Sequence, residues 1–580
     1  MAEDKFEKLI DLAVRRGFFW PSYEIYGGVA GFYDLGPLGI RLKNNIVELW
    51  RRYFVQQHQE FVVEIETPVI APAKVFEASG HLEHFTDPVI ECLKCRRKYR
   101  ADQLIEEITG IKTEGMDLKV LSEIIEEKNI RCPNCGGPLN NLRYFNLLFE
   151  TYIGPYSENR GYLRPETAQG MFVSFKRVFQ VMRERLPLGI AQIGRVARNE
   201  ISPRQSITRL REFTIMELEF FYDPNEPHCT LLEEKYSGEK LRILTADAKA
   251  RGEEKPDEYE ALELIKEKII KVPWLAYWMF VSRDFVHSLG VPFTDMFFDE
   301  KMPHELAHYS KQTFDQLVKV SRWGWIEVSG HAYRYDYDLS RHIKFSGQDL
   351  TVFKRFDKPI VMKEKKVIID KAGLAKEFKS KIAPLMKILK SMSNEELLKA
   401  IESSSNDVIT INEFKIPKKY FEIIEVERKV HGQKYIPHIV EPSFGAERLL
   451  YIALDHAFHE IEGRIVLKLP HSLAPIQVAV FPLLSRQEFI SKAREIYSKL
   501  VNEGFYVIYD DSGSIGRRYV RADEIGIPFA VTIDHQTLKD DTVTIRDRDS
   551  KRQIRVKTID LIRVLNKGLK GENIFEIVVR

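Results

Sequence analysis

Three short stretches of the chain gather arginines, carboxylates and aromatic rings in patterns that could line a ligand site. In the first, Arg198-Asn199-Glu200 is expected on a strand, with Arg198 and Glu200 on one face. A loop over 201–208 then leads to a second strand, on which Arg209, Arg211, Phe213, Glu217 and Glu219 project together, because strand side chains repeat every two residues. Met216, Leu218, Phe220 and Tyr222 form its apolar face. A solvated, salt-bridged hairpin fits this segment alone equally well. In the second stretch, Glu441 and Ser443 share one side of a strand end, Gly445 permits close backbone approach to a ligand, and Arg448 falls in the first turn of the following apolar helix. A lone Gly-x-x-Arg is weak. The third runs from Gly161 to Met171 and holds Glu166 in a Pro-containing turn before a helix that starts near Thr167.

A different chemistry is written in the cysteines. Cys92-x-x-Cys95 and Cys132-x-x-Cys135 form two knuckles 36 residues apart, and the second lies in a Cys-Pro-Asn-Cys-Gly-Gly turn. Four thiolates meet the tetrahedral demand of a structural zinc ion. Such a closed site has no open position for water, so it braces and does not catalyse. Cys229 stands apart and is expected to be structural.

The elements that position these groups follow from periodicity. Ile46, Trp50, Tyr53 and Phe54 recur at helical spacing between Pro37 and Gln59, and Phe61–Ile65 is expected as a strand. Residues 141–222 are strand-rich, 223–300 largely helical, 320–340 strands again, and 350–432 a Lys/Glu-rich insertion. After Pro470 strands and helices alternate: Ile476–Phe481, Ser485–Glu503, Phe505–Tyr509, a short helix around Arg518–Ile525, then Ile527–Ile533, which implies an α/β domain with a mixed sheet. With 580 residues the chain exceeds a single core. The net charge of +2 requires that any RNA-binding surface be gathered locally. No apolar run reaches the length of a membrane span, and the N-terminus lacks a signal-peptide pattern, so a cytoplasmic protein is expected.

The three stretches, in this order, resemble the signature motifs of class II aminoacyl-tRNA synthetases. Gly31-Phe32-Tyr33-Asp34-Leu35-Gly36-Pro37-Leu38-Gly39, the helix after it and Pro68 look like motif 1; Arg198 to Phe213 looks like motif 2; Phe444 to Arg448 looks like motif 3. Tyr162–Gly170, Arg198–Arg204, Arg211–Thr214 and Glu441–Gly445, with Arg100-Ala101-Asp102, Glu327 and Asp336–Leu339, are similar to the homodimeric, class IIa type of glycyl-tRNA synthetase of archaea and eukaryotes. Ser329, His331 and Tyr333 depart from that pattern.

The resemblance implies a fold: an α/β (α+β) chain with an antiparallel-sheet class II catalytic core over 1–471, and a C-terminal anticodon-binding domain with a mixed sheet over 472–580. The core is interrupted by a zinc-binding insertion (91–140), a helical insertion (223–300) and an inserted domain (350–432) that contacts the acceptor stem. It implies a reaction: ATP activates glycine to the adenylate, and glycine passes to the 3′ end of tRNA(Gly). Arg198 and Arg448 are the implied catalytic pair, with adenine between Phe213 and Arg448. Asn199, Glu200, Thr208, Arg209, Leu210, Arg211, Glu212, Glu327, Val328, Gly445, Ala446 and Glu447 complete the implied ATP site, with Mg2+ bridging the phosphates. Arg100, Glu166, Phe213, Thr214, Ile215, Met216, Glu217, Glu441, Pro442, Ser443, Phe444 and Gly445 are the implied glycine site. Motif 1 implies a homodimer, and Arg517, Arg518 and Arg521 are candidate phosphate contacts. The alternatives are a sister synthetase for proline, threonine or serine, and a catalytically inactive synthetase-like RNA-binding regulator.

Overall fold

The computed structural model describes residues 4–577 other than 114, 157, 204, 205, 405 and 406. Arg204 and Gln205 of the expected motif 2 loop therefore lie outside the described residues. Two compact units are formed, one from residues up to Leu350 and from Pro437 onward, the other from Thr351–Ile436.

The first unit is organised by a nine-stranded sheet. Its strands, in chain order, are β1 (Val62–Glu64), β2 (Leu188–Ala197), β3 (Glu212–Tyr222), β4 (Lys240–Leu244), β5 (Asp257–Glu260), β6 (Met296–Glu300), β7 (Gln312–Val320), β8 (Gly324–Tyr335) and β9 (His438–Gly445). They lie in the order β5-β4-β6-β7-β8-β9-β3-β2-β1. The six strands from β6 to β2 run antiparallel to their neighbours, and only the β1–β2 and β4–β6 pairs are parallel. The α/β class with an antiparallel core is as expected.

The helices that matter for the site are α1 (Lys5–Arg16), α2 (Pro37–Phe54), α3 (Ala168–Val181), α4 (Pro273–Ser288), α5 (Ala446–Ala457) and α6 (Ile515–Glu524). In α2, Pro37 opens the helix, where its missing N–H costs nothing, and Leu38, Leu42, Ile46, Trp50 and Phe54 recur on one buried stripe. The helix stops at Phe54, short of the expected Gln59, and passes into a single 3-10 turn. Phe54 stacks on Trp50 and on Trp278 of α4, and its edge meets Phe444 of β9. One face of the sheet is thus sealed by aromatic packing, which leaves the other for chemistry.

The segment 223–300 holds the 16-residue α4 and shorter helices, and it also carries strands that the largely helical pattern does not suggest. Between α-helical turns it supplies β4, β5 and β6, which extend the central sheet to its edge. These strands are only four or five residues long. Leu241 and Ile243 alternate inward over too short a run to outweigh the apolar helix α4 beside them.

Around the cysteines, Lys98–Arg100, Thr86–Cys92 and Leu139–Asn146 form a three-stranded sheet backed by helices Ala101–Thr109 and Leu118–Glu127. The C-terminal sheet joins β10 (Val478–Pro482), β11 (Val507–Tyr509), β12 (Phe529–Ile533), β13 (Thr542–Asp547) and β14 (Gln553–Lys557) in the order β11-β10-β12-β13-β14. Its first three strands are parallel and the last two antiparallel, the mixed sheet that alternation implied. On α6, Arg518 is buried and donates to the carbonyls of Pro482, Asp511 and Gly513, while Arg521 is held by Asp510 and Ser512. Both brace the loop before their helix, a structural task that neither the phosphate-contact reading nor a solvated basic face gives them. Arg517 remains exposed.

The second unit is a long antiparallel pair, Val352–Ile369 with Phe421–Tyr435, carrying three helices and a small hairpin around Leu374, Leu385, Leu389, Ile409 and Ile416.

Gly39 marks where the first turn of α2 presses on the preceding chain: a Cβ there would lie 1.8 Å from the Phe18 carbonyl oxygen. Gly39→Ala is expected to cost about 1–3 kcal/mol by overpacking. Thermal unfolding beside Gly238→Ala, whose Cβ meets nothing within 4 Å, checks this.

Candidate active site

On the open face of the sheet lies a cavity of about 710 Å³, in the size range that encloses small ligands. Strand alternation fills it as expected. Phe213, Ile215 and Glu217 of β3 and Glu441, Ser443 and Gly445 of β9 all line it. The register sets Glu217 against Ser443 and Ile215 against Gly445. Arg198, Glu200, Thr208, Arg209, Leu210, Glu327, Val328, Phe444, Glu447, Arg448, Glu166 and Arg100 border the same space. Two guanidinium groups 250 residues apart, on Arg198 and Arg448, thus open on one cavity.

Both arginines are held in place. Arg198 follows the end of β2; its Nε donates to the Pro165 carbonyl at 3.0 Å, and its guanidinium lies 5.4 Å from the centre of the Phe213 ring. Arg448, in the first turn of α5, donates from Nε to the Thr208 carbonyl at 3.1 Å and from Nη1 to the Glu327 carbonyl at 2.7 Å. Two backbone acceptors fix its plane, which suits stacking on an aromatic ligand.

Not every expected site residue owes its place to strand alternation, and several are turned elsewhere. Arg198 to Glu200 and Arg209 to Arg211 lie in loops beyond β2 and before β3, so the two-residue period does not orient them. Asn199 donates its backbone N–H to the Leu147 carbonyl, and it does not line the cavity. Arg211 donates to the carbonyls of Ala30 and Glu200, bracing the loop, and Glu212 is exposed and pairs with Arg195 at 2.9 Å. Thr214 gives its N–H and hydroxyl to Glu447, at 2.8 and 2.9 Å. Met216, Pro442 and Ala446 point into the core or away from the cavity, as their even positions on β3 and β9 and the buried stripe of α5 require. Arg100 reaches the cavity from the cysteine-bearing sheet, but its guanidinium is engaged bidentately by Asp102, at 2.8–3.0 Å, and by Asp87 at 3.3 Å.

At the floor, carboxylates outnumber cations. Glu166, Glu217, Glu219, Glu441 and Asp338 are all buried. Against them stands Arg334, fully buried, bonded to Asp338 at 2.8 and 3.0 Å and to Glu441 at 2.8 Å, and 3.8 Å from Glu166. Burial pushes Glu441 up to about 7, with the Arg334 guanidinium opposing and the charges of Glu217 and Glu166 adding. Burial and then the Glu166 charge raise Glu217, although Thr167 and Ser443 hydrogen-bond to it. Glu166 goes the other way: burial raises it, but His81 at 3.5 Å, Arg334 and Gln169 together hold it below the usual range. Glu219 is raised well above a normal carboxyl, by burial and then by Glu441, and neither of its oxygens meets a hydrogen-bond partner among the described residues. A floor with this deficit of positive charge suits a small cationic group.

Arg334, His81, Thr167 and Gln169 were not anticipated. One signal was available for the first: Arg334 and Asp338 are four residues apart, where an ion pair forms as the strand turns into a helix. Opposite the floor, Lys301 and Asp315 pair at 2.9 Å; burial and then the charge of Glu327 push Asp315 up to about 7.

The four cysteine sulfurs lie within 4.8 Å of one another, with Cys92–Cys135 at 3.5 Å and Cys95–Cys132 at 3.6 Å. A tetrahedral ion with bonds of roughly 2.3 Å sets sulfurs roughly 3.8 Å apart, so the donors fit. A Cβ on Gly137 would come within 3.1 and 3.2 Å of the Cys92 and Cys135 sulfurs, hence the glycine.

The anticodon binding domain family matches residues 477–568. The chain is 56% identical to the glycine–tRNA ligase of Aeropyrum pernix, over 98% of this chain and 97% of that one. It is 46% identical to that of Pyrococcus furiosus (98% and 100% of the two chains) and 42% identical to that of Methanocaldococcus jannaschii (98% and 100%).

Proposed function

The chain belongs to the glycine–tRNA ligases, archaeal-type class II aminoacyl-tRNA synthetases, and from that premise we propose how its cavity divides the work. The chain joins glycine to tRNA at the expense of ATP, which the class uses with Mg2+. The observation that carries the assignment of residues is the opening of Arg198, Arg448 and the Glu166–Glu217–Glu441 trio on a single cavity.

Glycine's carboxylate attacks the α-phosphorus, the bond from that phosphorus to the bridging oxygen breaks to release pyrophosphate, and negative charge grows on the α-phosphoryl oxygens in between. Arg198, tethered through Nε, presents its charge there, where it is worth most in the transition state. Adenine lies between Phe213 and the clamped Arg448. Glu327 and Asp315 would hold the Mg2+ that accompanies ATP, an ion that would neutralise phosphate charge. The acid trio takes the ammonium. Glu217 is tied by Thr167 and Ser443, Glu166 by Gln169, and Glu441 by Arg334, so these walls cannot shift to admit a Cβ. Loss of a favourable contact alone discriminates one methylene by only about 1–3 kcal/mol, and overpacking of a rigid wall adds to that. Arg100, held by Asp102, is an edge of the pocket and not a free partner for the carboxylate.

We read 1–471 as the catalytic domain, with insertions at 91–140, 223–300 and 350–432, and 472–580 as the anticodon-binding domain, in line with the family match at 477–568. The inserted domain meets the acceptor stem. The four cysteines hold a structural Zn2+, motif 1 forms a homodimer, and the chain works in the cytoplasm. Among the described residues no helix is long and apolar enough to cross a membrane.

Glycine-dependent exchange of pyrophosphate into ATP tests the whole reading: exchange with another amino acid, or with none, overturns it. Arg198→Ala is expected to lower the exchange rate by roughly 100- to 1,000-fold. The pH dependence has a definite sign. Glu441 carries a proton below about 7, and the ammonium must displace it. Glycine KM therefore rises as pH falls through 7, toward tenfold per unit, and Glu441→Gln removes that slope. For the metal, analysis should find about one zinc per chain and none in Cys132→Ser. Its loss should lower Tm and raise glycine KM through the sheet that carries Arg100, and an unchanged KM would count against that link.

A further inference from the structure

Arg334 lines no part of the reaction, yet it touches the groups that do. It closes β8, is wholly buried, and lies with its guanidinium 3.8 Å from the centre of the Tyr309 ring and 5.0 Å from that of Phe172 of α3. Every bonded nitrogen has a directional task. Nε and Nη2 close a two-pronged pair on Asp338, Nη1 meets Glu441 Oε2 at 2.8 Å, and Nη2 lies 3.8 Å from Glu166 Oε1. Asp338 in turn accepts from Gln169, and the same Gln169 amide nitrogen reaches Glu166 at 3.0 Å.

We propose that Arg334, anchored by Asp338, is a positioning residue that sets the spacing and ionisation of Glu166 and Glu441, and thereby the affinity for glycine. The inference rests on the reading that these two glutamates bind the ammonium. A planar guanidinium fixed on one carboxylate can hold a second in a defined direction, which a lysine ammonium cannot do. It also supplies part of the positive charge that lets the acids coexist. It does so incompletely, and the ligand's ammonium makes up the rest.

Two roles are separable by substitution. Arg334→Lys keeps the charge and loses the fork. Glycine KM is expected to rise at least tenfold, with ATP KM within about twofold and the pH break in glycine KM still near 7. Arg334→Gln loses the charge as well, so Glu441 ionises less readily and the break moves to higher pH. Should the glutamine variant not fold, Asp338→Asn frees the guanidinium while retaining its charge and is expected to behave as the lysine variant does. Folded Arg334→Lys and Asp338→Asn proteins with unchanged glycine KM, or with glycine and ATP KM rising together, overturn the proposal. Glu166→Gln and Glu441→Gln are measured beside them. If these raise glycine KM while the Arg334 variants do not, only the positioning role falls; if they too leave it unchanged, the ammonium site itself is wrong.

Discussion

The pairing of β3 with β9 decides what this molecule can do. With Glu217 opposite Ser443 and Ile215 opposite Gly445, the odd-numbered side chains of both strands meet on one face. A slip of one residue would send Glu217, Glu441 and Ser443 into the aromatic layer and bring Met216 and Pro442 to the cavity. The register is fixed from below. Phe444 is wedged among Phe54, Phe285 and His331, and Met216 and Phe220 are wholly buried beside it. The packing of one face therefore determines the chemistry of the other.

Upon that register sits an electrostatic problem. Placing several carboxylates out of water is costly unless cations compensate them. Here the compensation is partial: Arg334 serves Asp338, Glu441 and Glu166, while Glu219 is left with no hydrogen-bond partner among the described residues. The floor is therefore short of positive charge, which is the complement of a small cationic group.

How much of this was legible in the sequence depended on the distance over which a signal acts. The cysteine pairs, the stripe of α2 and the alternation of Glu441 and Ser443 are local patterns, and the structure assembles each as its spacing required. Loops defeated the same rule: Arg209 and Arg211 share parity with Phe213 but precede β3, and Arg211 turns to the Ala30 and Glu200 carbonyls. Arg334 meets Glu441 across 107 residues, which no periodicity can report. Glu447 follows Gly445 in a motif expected to touch nucleotide, yet its carboxylate binds Thr214 and Arg195 and so locks α5 to β3 and β2. Arg518 shares a basic helix with the exposed Arg517 and yet is buried on three carbonyls. Composition alone does not distinguish them.

The unit Thr351–Ile436 begins and ends on one pair of neighbours, since Val352 is aligned with Tyr435 across its antiparallel ladder. A segment whose two ends leave through a single narrow stalk imposes almost no length requirement on the chain that carries it. Lineages can therefore enlarge, shorten or replace its far end while β8 and β9 keep their alignment, because closing a longer or shorter excursion changes the entropy only logarithmically. That lets this unit change in size without disturbing the central sheet.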